Sequence, residues 1–378
     1  MSWIHRDRVR IGVAPFVLSM GMTVILQSGV AQANKPEILR MQAGAASGSI
    51  EDQIKMGAAY LVGHGVVQDE KLAAYWYEKA ANSGDPVAQK QIGYFYEVGV
   101  GVPRDPERAV RWFQRSVAGG YVSAKVDLGV AYMWGLGVRK DLGMSAQLFK
   151  EAAIKGEGLG ACYLGDMYRS GNGVAKDDTA AQHWYEVGAK LHDPLSEYRL
   201  GVILSADRSN ISELKKAAQL FRKSVESGYV PAMHALGLLL VREPKLIQAH
   251  DQPVTLLKEA SEAGSWKASV ILGALYRDGR GVPADRRTAY YEFVLSKRQA
   301  RGAADAIVAS DLQTVGGQLG KAQADAIEAE VSAWYEKHHI PLEFVYKDAE
   351  NWKKFPLFAV EYPESEVHAG RIVTRPPS

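Results

Sequence analysis

Seven glycines recur at a spacing of 36 residues without an insertion or deletion, and an apolar residue precedes each of them. The glycines are Gly57, Gly93, Gly129, Gly165, Gly201, Gly237 and Gly273. A fixed period in this range is typical of stacked repeat proteins, in which each unit buries its apolar surface against its neighbours. The spacing therefore predicts a repeat fold, and it favours binding over catalysis as the function.

The second repeat, residues 86–120, shows how one unit folds. Ile92 and Tyr96 fall on one face of a first helix, which we call helix A. The sequence GVGV that follows supplies glycines for a tight reversal. Asp105 and Pro106 are then typical of a new helix start, as N-cap and first helical residue. The unit is therefore predicted to be a hairpin of helix A and a second helix, helix B.

The other repeats carry the same features at the same positions. Helix B has a large apolar residue at one position: Trp76, Trp112, Leu148, Trp184, Leu220 and Leu256. The tryptophans, together with the tyrosines of helix A, are predicted to fill the space between the helices. An aspartate precedes helix B in five repeats, and N-capping is preferred over an acidic ligand ladder as its role. These aspartates are Asp69, Asp105, Asp141, Asp177 and Asp285.

The shared pattern is LG-x-x-Y-x-x-G-x-G-V-x-x-D-x-x-x-A-x-x-W-x-x-x-A-A-x-x-G, and in it the chain resembles the Sel-one-like repeat family, a relative of the tetratricopeptide repeats. The resemblance covers roughly residues 50–300. It implies an all-α fold, a right-handed α-solenoid of about seven helical hairpins that holds other macromolecules. It also implies export, since bacterial members are often exported. Repeats 5 and 6 lack the G-x-G turn, so they are predicted to be degenerate.

The two ends of the chain depart from the repeat. A basic start, the apolar run 11–30 and the small residues around Ala33 predict a signal peptide, residues 1–33, cleaved after Ala33. An uncleaved membrane anchor is the alternative. Residues 34–49 are predicted to be a linker. Residues 301–337 are predicted to form capping helices that divide at Gly316 and Gly317, and 338–378 an aromatic, proline-rich tail.

Charge and cysteine content exclude several classes of protein. Removal of residues 1–33 leaves 42 basic and 42 acidic residues, so the chain lacks the basic excess of nucleic-acid binders. Cys162 is the only cysteine, which precludes an internal disulfide and is most simply a packed residue. His338 and His339 are adjacent, but neighbouring residues in a helix point about 100° apart, which disfavours a shared metal. We expect no metal, no cofactor and no enzymatic activity.

The candidate binding residues lie on helix A, opposite the packed stripe. Positions −2, +1 and +5 from the anchor glycine vary between repeats, and successive repeats would align them along a concave surface. The candidates are Gln91, Tyr94, Asp127, Trp134, Tyr163, Asp166 and Arg199. Exposed aromatic side chains among charges are typical of protein-binding surfaces.

Three functions remain open from the sequence. We favour a non-enzymatic exported scaffold, periplasmic or secreted, that binds protein partners in envelope or exopolysaccharide-related assemblies; this rests on analogy. The first alternative is a carbohydrate or peptidoglycan-binding module, with Tyr94, Trp134 and Tyr163 as stacking platforms. A hydrolase acting on the cell wall or a β-lactam is the second, but no nucleophile with a base is found in the sequence.

Overall fold

A computed structural model of the protein describes residues 35–300 and 302–338, which contain seventeen α-helices, one short 3-10 helix and no strand. The helices are α1 (Lys35–Ala46), α2 (Ile50–Val62), α3 (Glu70–Asn82), α4 (Pro86–Val98), α5 (Pro106–Ala118), α6 (Ala124–Trp134), α7 (Leu142–Ile154), α8 (Gly158–Ser170), α9 (Asp178–Lys190), α10 (Pro194–Leu204), α11 (Ile211–Glu226), α12 (Val230–Arg242), α13 (Pro253–Glu262), α14 (Trp266–Asp278), α15 (Arg286–Ala300), α16 (Asp305–Leu319) and α17 (Lys321–His338). The predicted signal peptide and all but the first residue of the predicted tail lie outside the described residues.

The chain forms two compact units, and the boundary between residues 196 and 197 falls within α10. Within each unit, helices that follow each other in the chain pack against each other. Helix A of the seven repeats is α2, α4, α6, α8, α10, α12 and α14, and helix B is the helix that follows each of these. The prediction of an all-α fold of helical hairpins is therefore confirmed.

The ends of the helices follow the chemistry that the sequence predicts. Gly99, Gly135 and Gly171 end helix A with φ of 72–82°, a left-handed conformation that glycine adopts without steric cost. The aspartate before helix B is the N-cap in all five repeats: its carboxylate accepts from a backbone N–H of the first turn. The N-cap interpretation is confirmed, and the N···O distances are 2.8–2.9 Å at Asp105, Asp141 and Asp177.

The contact between helix A and helix B depends on the anchor glycine and an aromatic ring. A Cβ atom built on Gly129 would lie 2.6 Å from Phe149 Cε1, so only glycine lets the two helices approach this closely. The residue that fills this space is therefore the one after the predicted Trp or Leu position. At that position the seven repeats have Tyr77, Phe113, Phe149, Tyr185, Phe221, Leu257 and Phe293, each at most 1% exposed. At the predicted position, Trp76 and Trp184 are half-buried, whereas Trp112 and Leu148 are buried.

In the unit 35–196, a helix lies where the sequence analysis expects a linker. Ile38, Met41 and Ala45 recur at helical spacing along α1 and are buried. They pack with Met56 and Ala59 of α2 in one apolar cluster. The segment is helical because it covers the exposed side of the first repeat, as helix B of a preceding repeat would.

In the unit 197–338, repeat 6 replaces the G-x-G turn with a different local structure. Repeat 6 ends helix A in the 3-10 turn Pro244–Leu246. Arg222 on α11 holds this turn: its guanidinium donates to both Asp251 carboxylate oxygens at 3.0 and 2.5 Å and to the Leu246 carbonyl at 2.9 Å. This bidentate arginine–carboxylate interaction fixes the conformation of the turn, as the glycines do in the other repeats.

The last two helices close the apolar surface of repeat 7. Val308 and Val315 of α16 and Ile327 and Val331 of α17 are buried in one cluster with Phe293. The predicted break at Gly316 and Gly317 is wrong, since α16 continues to Leu319. A Cβ on Gly316 would lie 2.9 Å from Tyr290 Cε2, so this glycine serves a close packing contact instead of a turn.

Candidate functional site

The candidate site lies on α4, α6 and α8, which are the A helices of repeats 2, 3 and 4. We call it the A-helix face and define it by positions −2, +1 and +5 of these three helices. Six of the seven predicted residues lie on it, and each of them is half-buried: Gln91, Tyr94, Asp127, Trp134, Tyr163 and Asp166. The face is therefore accessible but more enclosed than an open helix surface.

Arg199, the seventh predicted residue, lies on α10 and is 6% exposed. The prediction that it belongs to an exposed face is wrong. Successive residues of a helix are about 100° apart, so position −2 borders the core position −1, occupied here by buried Leu200. A side chain as long as arginine packs back at this border and offers little surface to a partner.

Charged side chains from successive repeats meet on the A-helix face. Lys90 of α4 lies 3.5 Å from Asp127 of α6, measured from Nζ to Oδ2, and about a fifth of each side chain is exposed. Burial raises the pKa of the Asp127 carboxyl, and Lys90 offsets part of that rise. Burial alone would lower the pKa of the Lys90 ammonium, but Asp127 and Tyr121 raise it on balance. The pair is thus a partly desolvated ion pair that joins two repeats.

Two further carboxyls lie near this pair: Glu157 interacts with Lys90, and Asp193 interacts with Glu157. Glu157 stands at the N-cap position of α8, but its side chain accepts no capping hydrogen bond. Burial raises the pKa of Glu157, Lys90 lowers it, and Asp127 and Asp193 raise it further. Asp193 accepts from the Ser196 backbone N–H at 2.7 Å, and burial still raises the pKa of its carboxyl. We call Lys90, Asp127, Glu157 and Asp193 the polar cluster; it has three carboxyls for one ammonium.

Aromatic side chains border the polar cluster. The Tyr163 ring stacks on Phe149 of the core at 4.9 Å between ring centroids, and burial raises the pKa of its hydroxyl. Asp166 accepts from the Tyr185 hydroxyl at 2.5 Å, so this predicted residue has a structural partner in its own repeat. The face therefore combines rigid aromatic rings with partly desolvated charges, a composition suited to binding a folded partner.

The sequence analysis missed Lys90, Glu157 and Asp193. A signal for Lys90 exists: position −3 holds Ile54, Val126, Cys162, Tyr198, His234 and Val270 in the other repeats. A lysine in an otherwise mostly apolar column indicates a local partner. Glu157 and Asp193 lie at the start of helix A, where an acidic residue reads as an N-cap. Only the structure shows that Glu157 does not cap its helix.

The same positions have a different character in the unit 197–338. Apart from Arg199 of α10, the residues at positions −2 and +1 of α10, α12 and α14 are Val202, Ala235, Leu238, Ile271 and Ala274. These side chains are apolar and are buried or half-buried. The polar cluster and the aromatic side chains are thus features of the unit 35–196.

The cysteine and the histidine that the sequence analysis singled out are packed or isolated groups. Cys162 is fully buried, as expected of a packing residue. No group of three or more His, Cys, Asp or Glu side chains within residues 35–300 and 302–338 could hold a metal ion. The His338 ring stacks on Trp334 at 4.7 Å, and His339 lies outside the described residues.

Helical hairpins with a 36-residue period, notched by glycine and capped by aspartate, define a helical-repeat protein of the kind that binds macromolecules along its length. The chain belongs to the Sel1 repeat family, whose model matches residues 50–85, 86–121, 122–157, 158–193, 194–229 and 266–291. Repeat 6 is left out of this match, in keeping with its altered turn. Sel1 repeat proteins typically act as scaffolds for protein–protein interaction.

One solved structure shows the same fold, and two others are similar to the chain. A Sel1 repeat protein from Oxalobacter formigenes is 23% identical, and the match covers 83% of this chain and 90% of that one with a TM-score of 0.51. A protective antigen of uropathogenic Escherichia coli, described as having the SLR fold, is 25% identical over 86% of this chain and 75% of its own, with a TM-score of 0.44. The immunity protein Pa5087 of Pseudomonas aeruginosa is 16% identical over 71% and 84%, with a TM-score of 0.39. No curated protein matches the chain.

Proposed function

We propose that this protein is a non-enzymatic, exported scaffold that binds a protein partner through the A-helix face, in an assembly of the cell envelope. The observation that carries the proposal is the A-helix face itself. Tyr94, Trp134 and Tyr163 are half-buried there, on the same face as Asp127 of the partly desolvated Lys90–Asp127 ion pair. A partner that covers these aromatic side chains has to remove little water from the neighbouring charges, because they are already partly desolvated. The desolvation cost of binding is therefore small, as it is at interface hot spots.

Site-specific photo-cross-linking in cells tests the binding face. A photoreactive residue in place of Tyr94 is expected to capture a distinct protein band. The same residue in place of Lys150, which is exposed on α7, serves as the control. A partner captured equally well from both positions, or only from position 150, would contradict binding through the A-helix face.

Truncating the large aromatic side chain at the end of α6 is the associated prediction. Trp134→Ala is expected to reduce the cross-linking yield from position 94 by roughly 10-fold, the effect of losing an aromatic hot spot worth about 1.5 kcal/mol. Circular dichroism melts serve as the folding control. An unchanged cross-linking yield in a folded variant would show that Trp134 does not contribute to the interface.

Export is a separate part of the proposal and rests on the sequence of residues 1–33. No helix within the described residues is long and apolar enough to cross a bilayer. Fusion of residues 1–45 to a reporter that is active only outside the cytoplasm tests export, and mass spectrometry of the mature protein tests cleavage after Ala33. An inactive fusion would refute the export proposal and leave the binding face untouched.

A further inference from the structure

Repeat 7 has an acid at a helix B position that holds Trp or Leu in the six repeats before it. The acid is Glu292 on α15, and it is 9% exposed. A carboxyl at this depth is costly unless hydrogen bonds replace the water that it loses. The partners of Glu292 therefore decide its state.

Glu292 begins a chain of side-chain contacts that links three helices. Its Oε2 lies 3.0 Å from Ser261 Oγ on α13, and that Oγ lies 2.7 Å from Ser269 Oγ on α14. Ser269 Oγ lies 2.9 Å from Gln299 Oε1 on α15. The Gln299 Nε2 donates to the Ser261 carbonyl at 2.7 Å, which fixes the amide so that its oxygen faces Ser269. Ser261 and Ser269 are at most 2% exposed.

The protons available to this chain show that one is missing. Its three O···O contacts need three protons, and the two serine hydroxyls supply two. Gln299 Oε1 only accepts, so the Ser269 proton is used there. Ser261 then has one proton for two contacts, and its second contact is a hydrogen bond only if the Glu292 carboxyl donates. A carboxylate at Glu292 would leave two oxygen lone pairs facing each other at one of these contacts.

We propose that Glu292 is a neutral carboxylic acid in the folded protein, and that its ionisation loosens the junction between the sixth and seventh repeats, so that this junction responds to pH. Protonated, Glu292 donates to Ser261, Ser261 donates to Ser269, and Ser269 donates to Gln299. When Glu292 is ionised, this series of hydrogen bonds loses one of its three members, and a negative charge is buried between α13, α14 and α15.

The electrostatic surroundings agree with this assignment. Burial raises the pKa of Glu292 from 4.5 to about 7. The Ser261 contact and the Lys258 ammonium oppose this rise, and the Glu262 carboxylate adds to it; both charged residues are on α13. The group that α14 presents is the neutral Ser269, whose contact with the carboxyl also opposes the rise.

Charged groups of the two capping helices engage other sides of α15. Asp305 of α16 lies 3.9 Å from Lys297, and Glu330 of α17 pairs with Arg287. Lys297 and Arg287 are each five residues from Glu292, which places them about 140° around the helix. Lys297 and Arg287 therefore do not neutralise Glu292, and their partners on α16 and α17 lie on other sides of α15.

The direction of the pH dependence follows from the raised pKa. The folded state holds the Glu292 proton more tightly than the unfolded chain does, so folding is favoured most below pH 4.5 as far as this group is concerned. This contribution is lost as the pH rises through about 7. Amide hydrogen exchange of α14 and α15, corrected for intrinsic rates, is expected to accelerate by roughly 50-fold between pH 5 and pH 8.

Glu292→Gln is the matched test, because a neutral amide still donates to Ser261 and cannot ionise. The variant is expected to abolish this acceleration. Glu262→Gln, which removes an exposed carboxyl from the neighbouring helix, should keep it. The same pH response in wild type and Glu292→Gln would overturn the proposal.

Direct titration of the wild-type protein does not depend on any variant. Carbon-13 NMR of labelled glutamate side chains, with the Glu292 resonance assigned, is expected to show one carboxyl that titrates near neutral pH. A Glu292 resonance that titrates near the ordinary glutamate value would refute a neutral Glu292, whatever the variants do.

Discussion

Gly129→Val is expected to lower the free energy of unfolding by roughly 3 kcal/mol, the upper part of the range for overpacked cores. The first added carbon would lie 2.6 Å from Phe149 Cε1 and 2.9 Å from its Cδ1. Phe149 is fully buried and stacks on Tyr163, so its ring has no free space to move into. Helices α6 and α7 must therefore separate, which opens the core of the third repeat.

Urea denaturation followed by circular dichroism measures this loss, and Gly143→Ala is its control. Gly143 lies in α7 of the same repeat, and an added Cβ there would meet only Asp141 Oδ1, at 3.4 Å. The control is expected to be neutral or slightly stabilising, since alanine favours helices over glycine. If Gly129→Val were as stable as Gly143→Ala, the register of helix A on helix B would be wrong.

Gly137→Ala is expected to cost roughly 3 kcal/mol or more, although it adds a single methyl group to a surface turn. Gly137 has φ of 65°, a conformation that costs alanine about 1–2 kcal/mol. The Cβ would also lie 2.1 Å from the backbone carbonyl oxygen of Pro106, in the preceding repeat. A backbone atom cannot rotate aside as a side chain can, so the turn must lift away from α5.

The turn of repeat 7 separates these two costs. Gly281 has φ of 70°, but an added Cβ there has no heavy atom within 4 Å. Gly281→Ala is thus expected to lose only the conformational part, about 1–2 kcal/mol. Denaturant melts of the two variants, each compared with the wild type, give the difference. Equal losses would mean that the turn of repeat 3 makes no tight contact with repeat 2.

The fold could be predicted from the sequence wherever local chemistry and the 36-residue period agree. The aspartate caps and the left-handed glycines depend on hydrogen bonds within a few residues, which a sequence pattern captures. The prediction named tyrosine and tryptophan as the residues between the helices, but the helix B residue that packs on the anchor glycine is the one after the tryptophan position. Trp76 and Tyr77 show why: one step along a helix is about 100°, and the pattern does not reveal which of two adjacent large residues faces the glycine.

The candidate site was less predictable because it is assembled from several repeats. The period placed Gln91, Asp127 and Tyr163 in one row, and this follows from spacing alone. Lys90 reaches Asp127 across a repeat boundary from a different column, which depends on side-chain length and direction. The burial of Arg199 depends on the packing around α10, for which helical spacing has no information.

The contact that Gly137 makes with Pro106 has a counterpart on either side, where Gly101 meets the Glu70 carbonyl and Gly173 meets the Leu142 carbonyl. Each of these turns packs against the backbone of the preceding repeat, so the conformation of one hairpin depends in part on the hairpin before it. Evolution or engineering should consequently be able to lengthen or shorten this region by multiples of 36 residues, with a cut at any equivalent point. Any other change in length would leave one turn without the backbone carbonyl of the preceding repeat against which it packs.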